Sequence, residues 1–310
     1  MGITLLSLPT EVLVGIIDHA DNTCNNTLFD LRLVSKTVEQ LCHDHFLRHL
    51  ENLRIDPSQK DNLTRLMEII SSSAHAHAVK SVTFDFVRDW RNVWAVTTLV
   101  QQLFDKLSTL KVTLELKFSP YGSNEWISEP CIVDYILGIV NQVYISRMSV
   151  KRLVVRAKDW DPEFQLDKML CRLDNLLNVQ EKEAEVSTVQ SMVVAFKHGE
   201  TVYDRQHRSL GFKQTTAHDL HGIGQWIQEK QPTEINLTNC QLFVEQLDGA
   251  LVPARPASNR LSSISMINCR LMHLTSFFGG GQAATPLYKL LSHILQHANG
   301  LSYLHLEDIR

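Results

Sequence analysis

The sequence lacks several patterns that mark common classes of protein. Its six cysteines include no CxxC pair, which favours free thiols in a reducing compartment over a disulfide framework or a zinc module. No apolar run approaches the roughly 18 residues that span a bilayer. The first residues also show no basic region followed by an apolar signal core. We therefore expect a protein of the cytoplasm or the nucleus.

An excess of charge of one sign is also missing. Thirty basic and thirty-four acidic side chains leave a net charge of −4, which provides no global field to attract nucleic acid or an anionic membrane. There is no GxSxG nucleophile elbow and no glycine-rich loop ending in GK[ST]. Cys42, His43, His45 and His49 lie close together, but no second ligand pair follows at zinc spacing. We expect no catalytic residue, cofactor or metal, and a protein as the partner.

The first fifty residues contain two amphipathic blocks. Leu8, Val12 and Ile16 are four residues apart, Pro9 suits a first helical turn, and Glu11 lies near the positive end of the helix dipole. In the second block, residues 28–46, apolar side chains recur at helical spacing. The pattern predicts two or three short helices, whose small core is marginally stable by itself.

These residues resemble the F-box. The match consists of Leu8-Pro9-x-Glu11-Val12 with Ile16-Ile17, followed by Leu28-x-x-Leu31-Arg32-Leu33-Val34-Ser35-Lys36. The stretch that continues through residue 50 is similar to versions common in fungal F-box proteins. The alternative is an ordinary helical hairpin whose Leu-Pro start is a coincidence.

The F-box resemblance implies that the N-terminal helices bind a Skp-family adaptor and, through it, a cullin. It assigns adaptor contacts to the following residues: Leu8, Pro9, Glu11, Val12, Ile16, Leu28, Leu31, Val34 and Ser35.

Short apolar units recur beyond residue 55, most with apolar residues at their first, fourth and sixth positions. They predict parallel strands at residues 79–86, 112–118, 150–156, 192–196, 234–237, 263–266 and 303–306. Helical patterns precede several of these strands. Most steps between units exceed the roughly 20 to 29 residues of regular leucine-rich repeats, so we expect an irregular array.

Two units extend the match to a repeat family. Residues 235–242 and 264–271 resemble the LxLxx(N/C)xL core of a leucine-rich repeat, which places Cys240 and Cys269 at its buried asparagine-or-cysteine position. The alternative is an unrelated α/β domain with a parallel sheet.

The predicted fold is α/β with a small all-α N-terminal module. An F-box helical module at residues 1–54 precedes an irregular leucine-rich-repeat-like α/β solenoid at residues 55–310. Arg310 follows the last strand-like unit without a polar cap, which terminal repeats normally need, so we expect a truncated C-terminus.

The combined patterns predict a non-catalytic substrate-recognition subunit of a Skp-cullin-F-box ubiquitin ligase, which acts by holding its target close to the conjugating enzyme. We expect a protein target on the concave, strand-lined face, with Arg152, Arg156, Asn236, Tyr203 and His305 as candidate contacts. The polar stretch at residues 197–216 is a rival, as a partner-contacting loop. The alternative functions are an F-box and repeat scaffold outside a cullin ligase and an α/β enzyme of unknown activity.

Overall fold

The fold is mixed α/β, as predicted, and is built on one sheet of eleven strands. The computed structural model describes residues 8–23, 31, 34–56, 60–86, 93–120, 129–156, 174, 175, 177–179, 189–196, 199–219, 227, 231–243, 261–272, 286–297 and 301–310.

The helices within these ranges are α1 (Thr10–Thr23), α2 (Lys36–Glu51), α3 (Lys60–Ile69), α4 (Ser73–Ala78), α5 (Val93–Thr109), α6 (Glu129–Ile145) and α7 (Pro286–His297). Of the helices described, none is both long enough and apolar enough to cross a membrane.

The strands are β1 (Asn52–Ile55), β2 (Ser81–Phe86), β3 (Thr113–Pro120), β4 (Ser149–Arg156), β5 (Val189–Phe196), β6 (Gly199–Asp204), β7 (Ser209–Asp219), β8 (Glu234–Phe243), β9 (Ser263–Ile267), β10 (Arg270–Met272) and β11 (Tyr303–Glu307). Each of the seven predicted strands has a counterpart in this set.

Position in the sheet follows position in the chain. β1 to β5 pair in order as parallel neighbours, and so do β7, β8, β9 and β11. β10 pairs with the end of β8. Between the two parallel groups, β6 runs antiparallel to both β5 and β7. The prediction of parallel neighbours is therefore wrong at β6, because only two residues separate it from β5 and four from β7, whereas parallel pairing needs a longer crossover.

On β4, a local irregularity explains why the first and fourth positions of the apolar unit, three residues apart, lie on the same face. Val150, Leu153 and Val155 are all buried on the same face, although strict alternation requires two-residue steps. The register between β3 and β4 shifts between Leu114 and Glu115, so β4 holds one extra residue at this point. The first and fourth positions of the unit therefore both reach the core.

Aromatic side chains fill the core between the sheet and its helices. Phe84 of β2 stacks on Phe118 of β3 with ring centroids 5.8 Å apart. Phe104 of α5 contacts Phe84 edge-on at 6.2 Å, and Tyr135 of α6 contacts Phe118 edge-on at 6.0 Å. The three phenylalanines are fully buried, so their contacts fix α5 and α6 on one face of the sheet.

Tight turns join α5 to β3 and α6 to β4. Lys111 and Arg147 have positive φ angles of 56° and 50°. The N–H one residue beyond each of them bonds the carbonyl five residues back, at 3.0 and 2.9 Å, which is the Schellman ending of a helix. The sequence predicted this succession of helix, tight turn and strand.

The two units with the extended repeat match share a second kind of turn. Asn239 within β8 and Asn268 directly after β9 adopt positive φ angles of 57° and 51°, and Asp308 does so at 51° after β11. Asn268 Nδ2 donates to Asn239 Oδ1 at 2.8 Å. Cys240 and Cys269 follow these asparagines and are buried, as predicted. Equivalent positions thus stack between neighbouring units.

The N-terminal helices pack on each other and on the sheet assembly. Ile17, Val38 and Cys42 form a small separate core between α1 and α2. Phe46 and Leu50, further along α2, belong to the main core instead. The division at residues 54 and 55 stays a prediction, and the structure places that boundary inside β1, which pairs with β2.

Candidate functional site

The predicted adaptor surface lies on α1 and on the turn before α2. Val12 and Val34 are large apolar side chains with 45% and 47% of their surface exposed. The other predicted contacts on and before α1 are the exposed Pro9 and Glu11 and the half-buried Leu8 and Ile16. The two valines, with Pro9, are therefore the exposed apolar groups among the predicted contacts that the structure describes.

Two predicted adaptor contacts also have structural roles. Leu31 is half-buried and packs against the small core between α1 and α2. The hydroxyl of Ser35 caps α2 by accepting the backbone N–H of Val38 at 3.2 Å. Leu28 lies outside the described residues.

The outer face of the sheet consists of the side chains that alternate with the core residues along each strand. The register aligns one such residue from each strand except β10, and together they form a row across the sheet. From β1 to β11 the row is Arg54, Thr83, Lys117, Val154, Val193, Val202, Gly211, Asn236, Ser265 and His305. The middle of the row, from Val154 to Val202, is apolar.

An ion pair crosses the apolar middle of the outer face. Arg152 Nη2 on β4 lies 3.7 Å from Glu200 Oε2 on β6. Arg152 is level with Ser191 and Glu200 is level with Ala195, so a line between them crosses β5 at Val193. The ion pair helps to cover Val193, which is only 1% exposed.

Three other predicted target contacts lie on the outer face. Arg156 is exposed at the end of β4, and Asn236 is exposed on β8. His305 on β11 has its Nε2 3.1 Å from Glu307 Oε2, and its ring stacks on Tyr303 at 6.3 Å. The structure spreads these residues across the sheet and does not bring them together into one site.

Tyr203 is the exception among the predicted target contacts. It is 5% exposed and lies on the core face of β6, level with Met192 and Leu210. Strand alternation turns Val202 and Asp204 outward and Tyr203 inward. This corrects the prediction that Tyr203 contacts a target.

Residues 197–216 are predicted as a loop, but the described part of this stretch, residues 199–216, forms most of the β6–β7 hairpin. Its sequence carried a spacing that suits strands, because Leu210 and Phe212 are two residues apart, as are Thr201 and Tyr203. All four side chains are buried. The charged turn between them, residues 204–208, gave the stretch its polar character.

Arg205, in the turn between β6 and β7, holds this hairpin in place through its side-chain contacts. Its Nε lies 2.9 Å from Asp174 Oδ1, Nη1 donates to the carbonyl of Val189 at 3.0 Å, and Nη2 donates to Asn178 Oδ1 at 2.9 Å. The side chains of the Arg205–Asp174 pair are only 7% and 3% exposed. The position of β6 and β7 in the sheet is therefore fixed by a buried, hydrogen-bonded ion pair.

A depression of about 340 Å³ opens on the outer face where β6, β7 and β8 lie side by side. Gly211 contributes no side chain there, and a Cβ at that position would meet only Val202 atoms at 3.9 and 4.0 Å. This Gly211 depression is lined by Val202, Asp204, His207, Ser209, Gly211, Glu234 and Asn236. Of the predicted target contacts, Asn236 alone is part of this lining.

Carboxylates dominate the electrostatics of the Gly211 depression. Asp204 accepts the backbone N–H of His207 at 3.0 Å and contacts the ring Nδ1 at 2.8 Å. The hydrogen bond to Asp204, its charge and the charge of Glu234 raise the pKa of His207. Burial alone would raise the pKa of Asp204, but the hydrogen bonds from His207 lower it overall.

The four residues with metal-binding side chains near the end of α2 do not converge. Cys42 is buried between the helices and His43 is exposed, while His45 Nε2 faces Asp18 Oδ1 at 3.4 Å. Across the described part of the chain, no group of three or more His, Cys, Asp or Glu side chains is arranged to hold a metal ion.

The thiols of Cys240 and Cys269 lie against each other inside the sheet assembly. Their hydrogen bond and their burial raise the pKa of Cys240, whose Sγ lies 3.3 Å from the carbonyl of Thr238. A protonated, fully buried thiol that donates to a backbone carbonyl is a packing group and not a nucleophile.

No protein-family model matches this chain, and no curated protein matches its sequence.

Proposed function

We propose that this protein is a substrate-recognition subunit of a Skp-cullin-F-box ubiquitin ligase. In this proposal the N-terminal helices bind a Skp-family adaptor, and the strands after them form a leucine-rich-repeat-like array whose outer face holds a protein target. The chain contributes proximity and no chemistry, because a tethered target meets the conjugating enzyme at high effective concentration.

The exposure of Val12 and Val34 is the observation that carries the proposal. Leu13 and Ile17 of α1 are buried, so the helix already satisfies its inner side. Val12 adds an apolar group on the exposed part of the helix, at a position that the F-box resemblance assigns to the adaptor. A contiguous exposed apolar patch is typical of a surface that a partner covers, and the proposal makes Val12 and Val34 members of such a patch.

The repeat-like interpretation of the remaining chain has separate support. Strand order follows chain order, and most neighbours are parallel. The stacked turns at Asn239 and Asn268, each followed by a buried cysteine, give two neighbouring units the same local structure. Repeated units that pack only on their neighbours are the basis of a repeat architecture.

The adaptor contact is tested with Val12→Asp combined with Val34→Asp. Both side chains are exposed, so the fold should tolerate the change, while burying two charges in an apolar interface is unfavourable. Large apolar contacts at an interface centre are worth about 2 kcal/mol each, so we expect at least about a tenfold loss of affinity for a purified Skp-family adaptor.

Val14→Asp is the matched control. Val14 is 38% exposed on the same helix, two residues from Val12 and therefore on a different side of α1. Adaptor binding should survive this change. Equal affinity of the double variant and the unmodified chain, or an equal loss in Val14→Asp, contradicts the proposed contact. Leu31→Ala is unsuitable because it also disturbs the small core between α1 and α2.

The presence of cullin is measured by affinity purification of the chain from its native cells. Recovery of adaptor together with cullin supports the ligase, and recovery of adaptor alone supports an F-box scaffold outside a cullin ligase.

A further inference from the structure

The Gly211 depression has the dimensions to hold one long side chain of a bound protein. Its volume of about 340 Å³ lies above an open stretch of sheet between Val202 on β6 and Asn236 on β8. The register places Gly211 level with both residues, so the missing side chain leaves a gap in an otherwise continuous row. A guest side chain would occupy the space that a residue at this position normally fills.

The charged residues around the depression favour a positively charged side chain of the bound protein. Asp204 and Glu234 are level with Ser209, one on each neighbouring strand, so a carboxylate stands on both sides of the opening. Asp204 already pairs with the ring of His207 at 2.8 Å, and within the ranges that the structure describes neither carboxylate forms an ion pair with a lysine or an arginine. The guanidinium of Arg208 is directed elsewhere, to the carbonyl of Gln231 at 2.7 Å.

The surface beside the depression suits an aliphatic stem. Val202 forms one wall, and it continues along the row into Val193 and Val154. Lysine and arginine bury their methylene stems on apolar surface while their charged heads stay at polar groups. The side-chain oxygen of Asn236, on the opposite wall, is an acceptor for such a head group.

We propose that the Gly211 depression receives a lysine or arginine side chain from the protein bound to the outer face. The stem lies against Val202 and Gly211, and the charged head lies between Asp204, Glu234 and Asn236. This inference rests on the proposed function only in that the outer face holds a protein target, and it does not depend on the adaptor.

The probe is a set of immobilised random hexapeptides in which one central position is fixed as Lys, Arg, Gln, Glu or Leu. The purified full chain is applied in solution, and binding to each pool is measured. We expect the Lys and Arg pools to bind at least about fivefold better than the Gln pool, because each exposed ion pair contributes up to about 1 kcal/mol. Equal binding of all pools, no binding to any pool, or preference for Glu or Leu overturns the proposal.

Two variants locate the contact in the depression. Gly211→Leu should fill it, and Glu234→Gln should remove one carboxylate without changing the shape, so each should abolish the preference for Lys and Arg or reduce it severalfold. Gly211→Ala is the steric control, since its Cβ meets only ordinary contacts. Glu115→Gln is the charge control, because Glu115 lies on the outer face in the same lateral row as Glu234.

Both controls should retain the preference. A preference that survives Gly211→Leu or Glu234→Gln overturns the assignment of the bound side chain to the depression.

Adaptor binding is measured on the same variants. The variant with Val12→Asp and Val34→Asp should lose adaptor binding but keep its preference for Lys and Arg peptides. This result shows that the adaptor surface and the depression act independently. If the unmodified chain does not bind the adaptor, the proposed function is contradicted but the proposal for the Gly211 depression is not.

Discussion

Replacing Arg205 with alanine should destabilise the protein far more than replacing Arg152. The Arg205 side chain makes hydrogen bonds to Asp174, Asn178 and the carbonyl of Val189. Asp174 is 3% exposed, so removing its partner leaves a buried carboxylate without its counterion. Breaking a buried pair in this way costs about 3–5 kcal/mol, a large share of the roughly 5–15 kcal/mol that stabilises a folded domain.

Urea unfolding followed by circular dichroism measures the change, with Arg152→Ala as the matched control. Arg152 pairs with Glu200 at 3.7 Å on the same sheet, but the two side chains are 37% and 41% exposed, so its loss should cost about 0–1 kcal/mol. Adding Asp174→Ala to Arg205→Ala should recover part of the lost stability, since the stranded charge is removed. A loss below about 1 kcal/mol for Arg205→Ala, or equal losses for the two arginines, would refute the argument.

Three further predictions concern single contacts. The pKa of His207, measured by NMR, should lie above 6.5 and should fall in the Asp204→Asn variant. The contribution of the His207–Asp204 contact to stability is full below the unfolded-state pKa and is lost as the pH rises through the folded-state pKa. Ser35→Ala should lower the free energy of unfolding by about 1 kcal/mol, because the cap on Val38 is lost. Phe104→Ala should lower it by about 3–5 kcal/mol, since this ring is fully buried; both losses are measured by urea unfolding.

The sequence predicted the parallel strands because their apolar positions carry a repeated signal. Val150, Leu153 and Val155 reach the core through a local register shift, and the same spacing recurs in other units. It did not predict the direction of β6. The direction of a strand depends on the length of its connections, and the buried Arg205–Asp174 pair joins residues 31 positions apart, beyond the range of any local pattern.

The candidate target contacts show a different limit of sequence patterns. A strand alternates its side chains between two faces, so an error of one residue in register reverses every assignment along it. Tyr203 stands out in the sequence as an aromatic group within a polar stretch, yet its neighbours Val202 and Asp204 are the residues that face outward. Gly211 has no side chain to attract notice, and it becomes informative only when the register places it between Val202 and Asn236.

The same alternation separates the residues that hold the hairpin from those that are free to bind. On β6 and β7 the inward side chains, Tyr203 and Phe212 among them, are committed to the core, and Arg205 is committed to Asp174. Val202 and Glu234 take no part in that packing. Substitutions of Val202 or Glu234 should therefore change recognition with little effect on stability, whereas substitutions of Tyr203, Arg205 or Phe212 should destabilise the hairpin.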